Sequence, residues 1–393
     1  MGQLKVFHNS IKQLLFLLSD LIIFYVRLTD FLIDTGAKNI KEQRTIPSMN
    51  SDIQLIGETT IAKASSTADY KRLLKDPILK SDPIIVKPNW VLSEEGSYTT
   101  ASSLRCLFEA LPGKIIVTES YQTARVWDDP TIARTFKVGD EVVDWTWFRG
   151  KGWLWLHSHP DWTWFKDSMW SEIRKGDNNF LERLGFRDLF QEFGVDYVNV
   201  TEEVWSGRAV DSGLVKEIVE KRYSPVFTDR LYGIVPERLY RHRGATLISF
   251  NRLKEYGSFT FKNLFGLIPD PNRSWWHGPR DRTLSLSIVD AAKVYASLFS
   301  LYGLWEYAGS TRLRRDEGKF GGPEYRFDMA VGPGILVFGR NFVELDALLC
   351  HLNGFKVKDA EHIELAEQVF GANNRQLLGE AEKCVGSWFK PSS

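Results

Sequence analysis

The sequence predicts an α/β fold: a mostly parallel sheet with flanking helices, a Trp-rich β-ribbon insertion and an N-terminal amphipathic helix. Three observations lead there. Short apolar runs of buried-strand type, such as Pro83–Lys87 and Ala245–Phe250, alternate with longer segments of helical apolar spacing. The pentapeptide Asp-Trp-Thr-Trp-Phe occurs twice, from Asp144 and from Asp161, in a stretch holding seven of the chain's fourteen tryptophans. Residues 10–33 are apolar apart from a narrow polar stripe.

Bulk composition narrows the class. The 393 residues suit one large domain or two ordinary ones, and 43% hydrophobic residues can build a sizeable core. Fifty basic and fifty acidic residues cancel, so no global field steers the chain to nucleic acid. Cys106, Cys350 and Cys384 lie far apart and form no CxxC pair. That disfavours a disulfide scaffold, a cysteine zinc site and an iron–sulfur cluster, and a cytoplasmic setting fits best.

Residues 1–36 read as the apolar, amphipathic helix. Gln13, Asp20, Arg27 and Asp34 recur every seven residues, with Lys12 and Asp30 beside them on a helical wheel. The longest uncharged run, Gln13 to Ser19, is much shorter than the roughly 20 residues a spanning helix wants. Such a helix docks on its own protein, pairs with a second copy as a homodimer, or lies peripherally in a membrane interface; spanning stays open. Residues 37–55 are polar and unpatterned, a linker.

From Ile56 the α/β pattern begins. Pro83–Lys87, Lys114–Thr118, Asp196–Val200, Ala245–Phe250 and Gly334–Phe338 read as strands. Ala101–Leu111, Leu181–Phe193, Gly213–Glu220, Leu284–Phe299 and Val343–Leu352 read as helices. Residues 357–393 read as a helical tail.

In a parallel sheet ligands bind beyond the carboxyl ends of the strands. Lys87 and Asn89 follow the first strand, Glu119 the second, and Asn251 and Lys254 the run Ala-Thr-Leu-Ile-Ser-Phe. Lys262 and Asn263 come a few residues later. Ammonium groups beside amide donors suit a carboxylate or phosphate; the plainer reading is surface lysines and turn-capping asparagines. Glu119 is a candidate partner for a lysine or a metal.

At these residues the chain resembles the DUF362 family. The matching blocks are Ile84–Val91, Thr99 and Thr100, Ile115–Ser120, Phe193–Val200, Ile248–Lys254 and Phe261–Pro269, then Arg273 with Trp276-His277, and Phe342–Phe355. They cover about residues 56–356. The resemblance implies an α/β domain whose function is not established at family level. Two departures stand out. The family's Leu-Lys-x-His motif reads Leu253-Lys254-Glu255-Tyr256 here, and the ferredoxin-like cysteine runs of some relatives are missing. Residues 126–178 look like an insertion relative to the family pattern.

Within that insertion the tryptophans are spaced by two, so in strands they would share a face. A small ribbon turned at Arg149–Gly152 and near Pro160 would carry one indole-covered face. That face could pack on the domain as a lid, stack on a ligand, or enter a membrane interface. His157, His159 and Asp161 alternate and would share a face on an extended chain, a pattern that suits zinc or non-haem iron, so a divalent metal stays open although no cofactor is predicted. Pro160 argues for a polar turn instead.

His277, in the basic aromatic loop Arg273–Arg280, is the best candidate for acid/base work. Asp346 is placed to bind a ligand or to cap backbone groups. Two functions follow as expectations. One is an enzyme acting on an anionic small molecule, with Lys254, Lys262 and His277 catalytic and Lys87, Asn89, Thr99, Glu119, Asn251, Asn263, Arg273 and Asp346 ligand-binding. The other is a non-catalytic membrane-surface scaffold.

Overall fold

A computed structural model describes residues 52–63, 66–74, 80–93, 96–126, 129, 131–132, 135–145, 147, 151–158, 162–254, 259–317, 323–354, 360–371 and 374–389. The helix expected over 10–33 lies outside them. Ten strands follow in chain order: β1 (Ile53–Ile56), β2 (Thr59–Lys63), β3 (Ile84–Pro88), β4 (Ile115–Glu119), β5 (Thr135–Val138), β6 (Glu141–Asp144), β7 (Asp196–Asn199), β8 (Thr246–Lys254), β9 (Ser300–Glu317) and β10 (Pro323–Gly339). Eight form one sheet in the order β1-β2-β10-β9-β8-β3-β4-β7. Strands β9, β8, β3, β4 and β7 run parallel; β10, β2 and β1 add an antiparallel margin.

The α/β fold class and the mostly parallel sheet are therefore as expected, and so are the main element positions. Ile84 and Val86 face one hydrophobic cluster while Ile85 faces the other; Ile115 and Val117 against Ile116 repeat the pattern on β4. Side-chain alternation thus fills both faces of a fully buried sheet, which is why these strands read as continuous apolar runs. Helices Thr67–Leu73 and Ala101–Ala110 cover one face. Helices Ser212–Glu220 and Leu284–Leu298 cover the other. At roughly 25 cal/mol per Å² of buried apolar surface, this double burial is the main stabilising contribution.

Several expectations change. Strand β1 begins at Ile53, inside the range read as linker, because the β1–β2 hairpin extends the sheet through β10. Gly334–Phe338 is a strand, but antiparallel to its neighbour β9. The single helix read over Leu181–Phe193 is two, Trp162–Arg183 and Phe186–Phe193, parted by Gly185 with φ of 73°. The tail forms helices Glu361–Phe370 and Gln376–Val385, which pack on the sheet margin.

The insertion does contain an antiparallel ribbon, β5–β6. Past Arg149 the tryptophans are helical, on Lys151–Ser158 and Trp162–Arg183. Spacing by two is present, but Phe165, Met169 and Ile173 recur at intervals of four and are buried together, so helical burial overrides the strand signal. Leu156, Trp145 and Val126 join them in one cluster. No described helix is long and apolar enough to cross a membrane.

Candidate functional site

Chain order builds the sheet outward from β3 through β4 to β7, then returns to the other side of β3 with β8 and β9. The reversal makes the β3/β8 boundary the switch point, where an α/β sheet opens a crevice at its carboxyl ends. Lys87 and Pro88 of β3 sit opposite Ser249 and Phe250 of β8 at this point.

The predicted strand-end residues meet here, and most are buried. Lys87 Nζ donates to Glu119 Oε2 at 2.8 Å, to the Pro88 carbonyl at 2.7 Å and to Asn263 Oδ1 at 3.2 Å. Asn89 Nδ2 donates to the same Asn263 oxygen at 3.1 Å. Asn263 in turn donates to the Lys87 carbonyl at 3.0 Å and to Ser249 Oγ at 3.1 Å. Thr99 Oγ1 accepts from the Asn89 backbone at 2.9 Å and donates to the Phe250 carbonyl. Asn251 Nδ2 reaches Ser249 Oγ at 3.3 Å, while its buried Oδ1 has no hydrogen-bond partner. Burial pushes the Lys87 ammonium down to about 8, with Glu119 opposing the shift. The side chain of Lys254 lies outside the described residues.

Two further arginines close the network. Arg273 donates to Ser120 Oγ and to the carbonyls of Gly266 at 3.0 Å and Ile268 at 3.2 Å. Arg125 pairs with Asp177 and donates to the Ser120 carbonyl. Asp177 also accepts from Asn199 Nδ2 at 3.2 Å and Tyr197 OH at 3.3 Å. Ion pairs join Lys87 to Glu119 and Arg125 to Asp177, whereas Arg273 has no carboxylate within ion-pair distance among the described residues. Burial lowers its guanidinium to about 10, which leaves it charged at neutral pH. Its hydrogen bonds all go to neutral acceptors, and Glu119 and Asp270 act on its charge from beyond ion-pair distance. Asp177 belongs to the insertion and Arg125 stands immediately before it, and nothing in their local sequence marks them.

Beyond this network the segment Phe261–Leu267 turns over the crevice. A Cβ at Gly266 would lie 2.7 Å from Lys87 Nζ, so only glycine permits that approach. On the outer side of the segment stands His277. Its Nδ1 lies 2.8 Å from Asp281 Oδ1, and its ring packs edge-on against Trp153 at 5.0 Å and Phe265 at 5.7 Å. Ser274 Oγ donates to the Trp153 carbonyl, so the insertion helix is fastened over the loop. Burial holds the imidazole below its usual range, and Lys262 and Arg273 push the same way; the Asp281 bond opposes them. Lys262 is itself held below the usual lysine range by burial, with Asp281 opposing.

The backbone under the pair is strained. Arg280 and Asp281 have φ of 57° and 58°, the left-handed region that non-glycine residues enter at a cost of about 1–2 kcal/mol each. Asp281 is the partner sequence reasoning missed. The His-x-x-x-Asp interval was its only signal, and that interval is common.

Other predicted residues serve structure. Asp346 is fully buried and accepts from the backbone N–H of Thr260 at 2.9 Å and Phe261 at 3.1 Å. It caps the helix Thr260–Leu264 that carries Lys262 and Asn263, as the capping alternative expected. His157 is half-buried on the helix Lys151–Ser158, and the two residues read with it, His159 and Asp161, lie outside the described residues. Among the described residues no group of three metal-ligating side chains assembles.

No protein-family model, curated protein or solved structure matches the chain.

Proposed function

We propose that this chain is an enzyme that performs acid–base chemistry on a small carboxylate or phosphate bound beyond the carboxyl ends of β3, β4 and β8. The observation that carries the reading is the His277–Asp281 pair, held on strained backbone beside Lys262 and Arg273. Asp281 fixes Nδ1–H as the donor, which leaves Nε2 of the neutral ring as a proton acceptor. A neutral imidazole facing cationic side chains suits removal of a proton from an anionic molecule that those cations hold. Strain stored at one loop, with fold-stabilising bonds elsewhere, supports a functional role for that loop. Trp153 and the insertion helix act as the cover that limits water around the ring.

The test is turnover of a mixture of small carboxylates and phosphates by the full chain, compared with His277→Gln and Lys262→Ala. Consumption of a compound by the wild type, its loss in His277→Gln and a raised KM in Lys262→Ala are expected. Equal conversion by wild type and His277→Gln, or no conversion by either, would reject the reading.

A second reading has its own observation. Leu154, on the tryptophan helix, and Val142, on the ribbon, are 67% and 65% exposed. Exposed apolar residues beside tryptophans suit a membrane-surface scaffold. Flotation with vesicles containing anionic lipid, abolished by Leu154→Glu while His277→Gln has no effect, would favour it.

A further inference from the structure

A cavity of about 350 Å³ lies at the opposite end of the sheet, where β9 starts at Ser300 and just past the end of β10 at Arg340 and Asn341. Its size falls within the range of small-molecule pockets. Its floor is aromatic: Phe261 packs on Phe342 at 5.4 Å and on Phe370 at 5.2 Å, and Tyr223 packs on Phe370 at 5.2 Å. Its rim is cationic. Arg222 donates to the Ala296 carbonyl at 2.7 Å and lies 5.3 Å over the Tyr223 ring, which fixes its guanidinium at the mouth. Arg340 is exposed and has no hydrogen-bond or ion-pair partner among the described residues.

A third positive element opens on the same space. Asn341 and Phe342 line it and begin the helix Phe342–Leu352. Asn341 Oδ1 caps the backbone N–H of Glu344 at 3.2 Å, and the N–H groups before it remain at the positive end of the helix. Glu58 is the one carboxylate in the lining, against two arginines. The lining contains no histidine, cysteine or lysine.

We infer that this cavity is a second binding site, for a flat aromatic molecule bearing a carboxylate or phosphate. The ring stacks on the phenylalanine floor, and the anion meets Arg222, Arg340 and the helix end. Residues that could transfer a proton near neutral pH are missing from the wall, so the site binds rather than converts. Its position also links it to the distant end of the sheet. Phe261 lies in the floor, and the next two residues on the same helical turn, Lys262 and Asn263, belong to the switch-point cluster. An occupant therefore presses on the element that places them.

Binding of 1-naphthyl phosphate and 1-naphthoate to the full chain, measured by calorimetry with 1-naphthol as the neutral control, tests the inference. Both anions should bind, and naphthol at least tenfold more weakly. Arg340→Ala, a surface change that leaves the fold intact, should weaken the anions about tenfold, and so should Arg222→Ala. His277→Gln should change nothing, which separates this site from the proposed catalytic one. Failure of both anions to bind at about 1 mM, an affinity unchanged in Arg340→Ala and Arg222→Ala, or loss of binding in His277→Gln would overturn it.

Discussion

Nδ1 of His277 and Oδ1 of Asp281 lie 2.8 Å apart, and two successive residues in left-handed backbone, Arg280 and Asp281, bring them there. The helix Ser274–His277 ends before Asp281 and the helix Leu284–Leu298 begins after it, so the turn between them places the carboxylate. The bond has electrostatic and conformational consequences that can be measured separately.

Asp281 works against burial and the neighbouring cations to keep the imidazole basic. Asp281→Asn removes the charge and weakens the bond, so the His277 pKa falls further below its usual value. A pH titration of the ring resonances by NMR should show this, and the acidic limb of any pH–rate profile should move to lower pH with it. An unchanged or raised value would contradict the assignment.

Arg280 is exposed with φ of 57°. Glycine adopts that conformation without steric cost, so Arg280→Gly should stabilise the protein by about 1 kcal/mol in urea unfolding. A stabilising change beside the His277–Asp281 pair is what strain retained for function predicts; destabilisation would remove that argument.

Lys87 and Glu119 are an ion pair with almost no exposure. Lys87→Met leaves Glu119 buried and unpaired, at a cost of about 3–5 kcal/mol. The double variant Lys87→Met with Glu119→Gln should recover a large part of that loss. A double-mutant cycle in urea checks the coupling.

Gly176 sits inside the helix Trp162–Arg183, where alanine would ordinarily be preferred. A Cβ there would come 1.8 Å from Cγ1 of Val126, which is fully buried. Gly176→Ala should therefore destabilise by about 1–3 kcal/mol despite its helix propensity, through overpacking inside the insertion's own cluster. Thermal unfolding of the purified variant measures it.

His362 packs on Phe259 at 5.3 Å, and its Nε2 is buried without a hydrogen-bond partner. Burial pushes it down to about 3, and Lys262 acts in the same direction. The unfolded chain takes up this proton at ordinary histidine pH while the native state does not. Stability is therefore full above about 6.5 and declines as pH falls toward about 3. Between pH 7.5 and pH 5 this one group should remove about 2 kcal/mol. Urea unfolding at the two pH values should show a smaller acid loss in His362→Leu than in the wild type.

The sequence by itself determined the strands β3, β4, β7 and β8, the helices Ala101–Ala110, Ser212–Glu220 and Leu284–Leu298, and the carboxyl-end residues Lys87, Asn89, Glu119, Asn251 and Asn263. Strand burial on both faces leaves continuous apolar runs such as Ile84–Val86, and helical burial leaves a period near four, so both are written locally. The tertiary structure decided what local periodicity does not encode. It turned the tryptophan segments into helices, because Phe165, Met169 and Ile173 found a hydrophobic cluster to fill. It left Arg273 without an ion-pair partner among the described residues and drew Asp177 in from the insertion to Arg125, since ion pairing depends on which loops the sheet order brings together. It also set Asp281 against His277, because a left-handed turn between two helices is fixed by the packing on either side and not by the residues that bend.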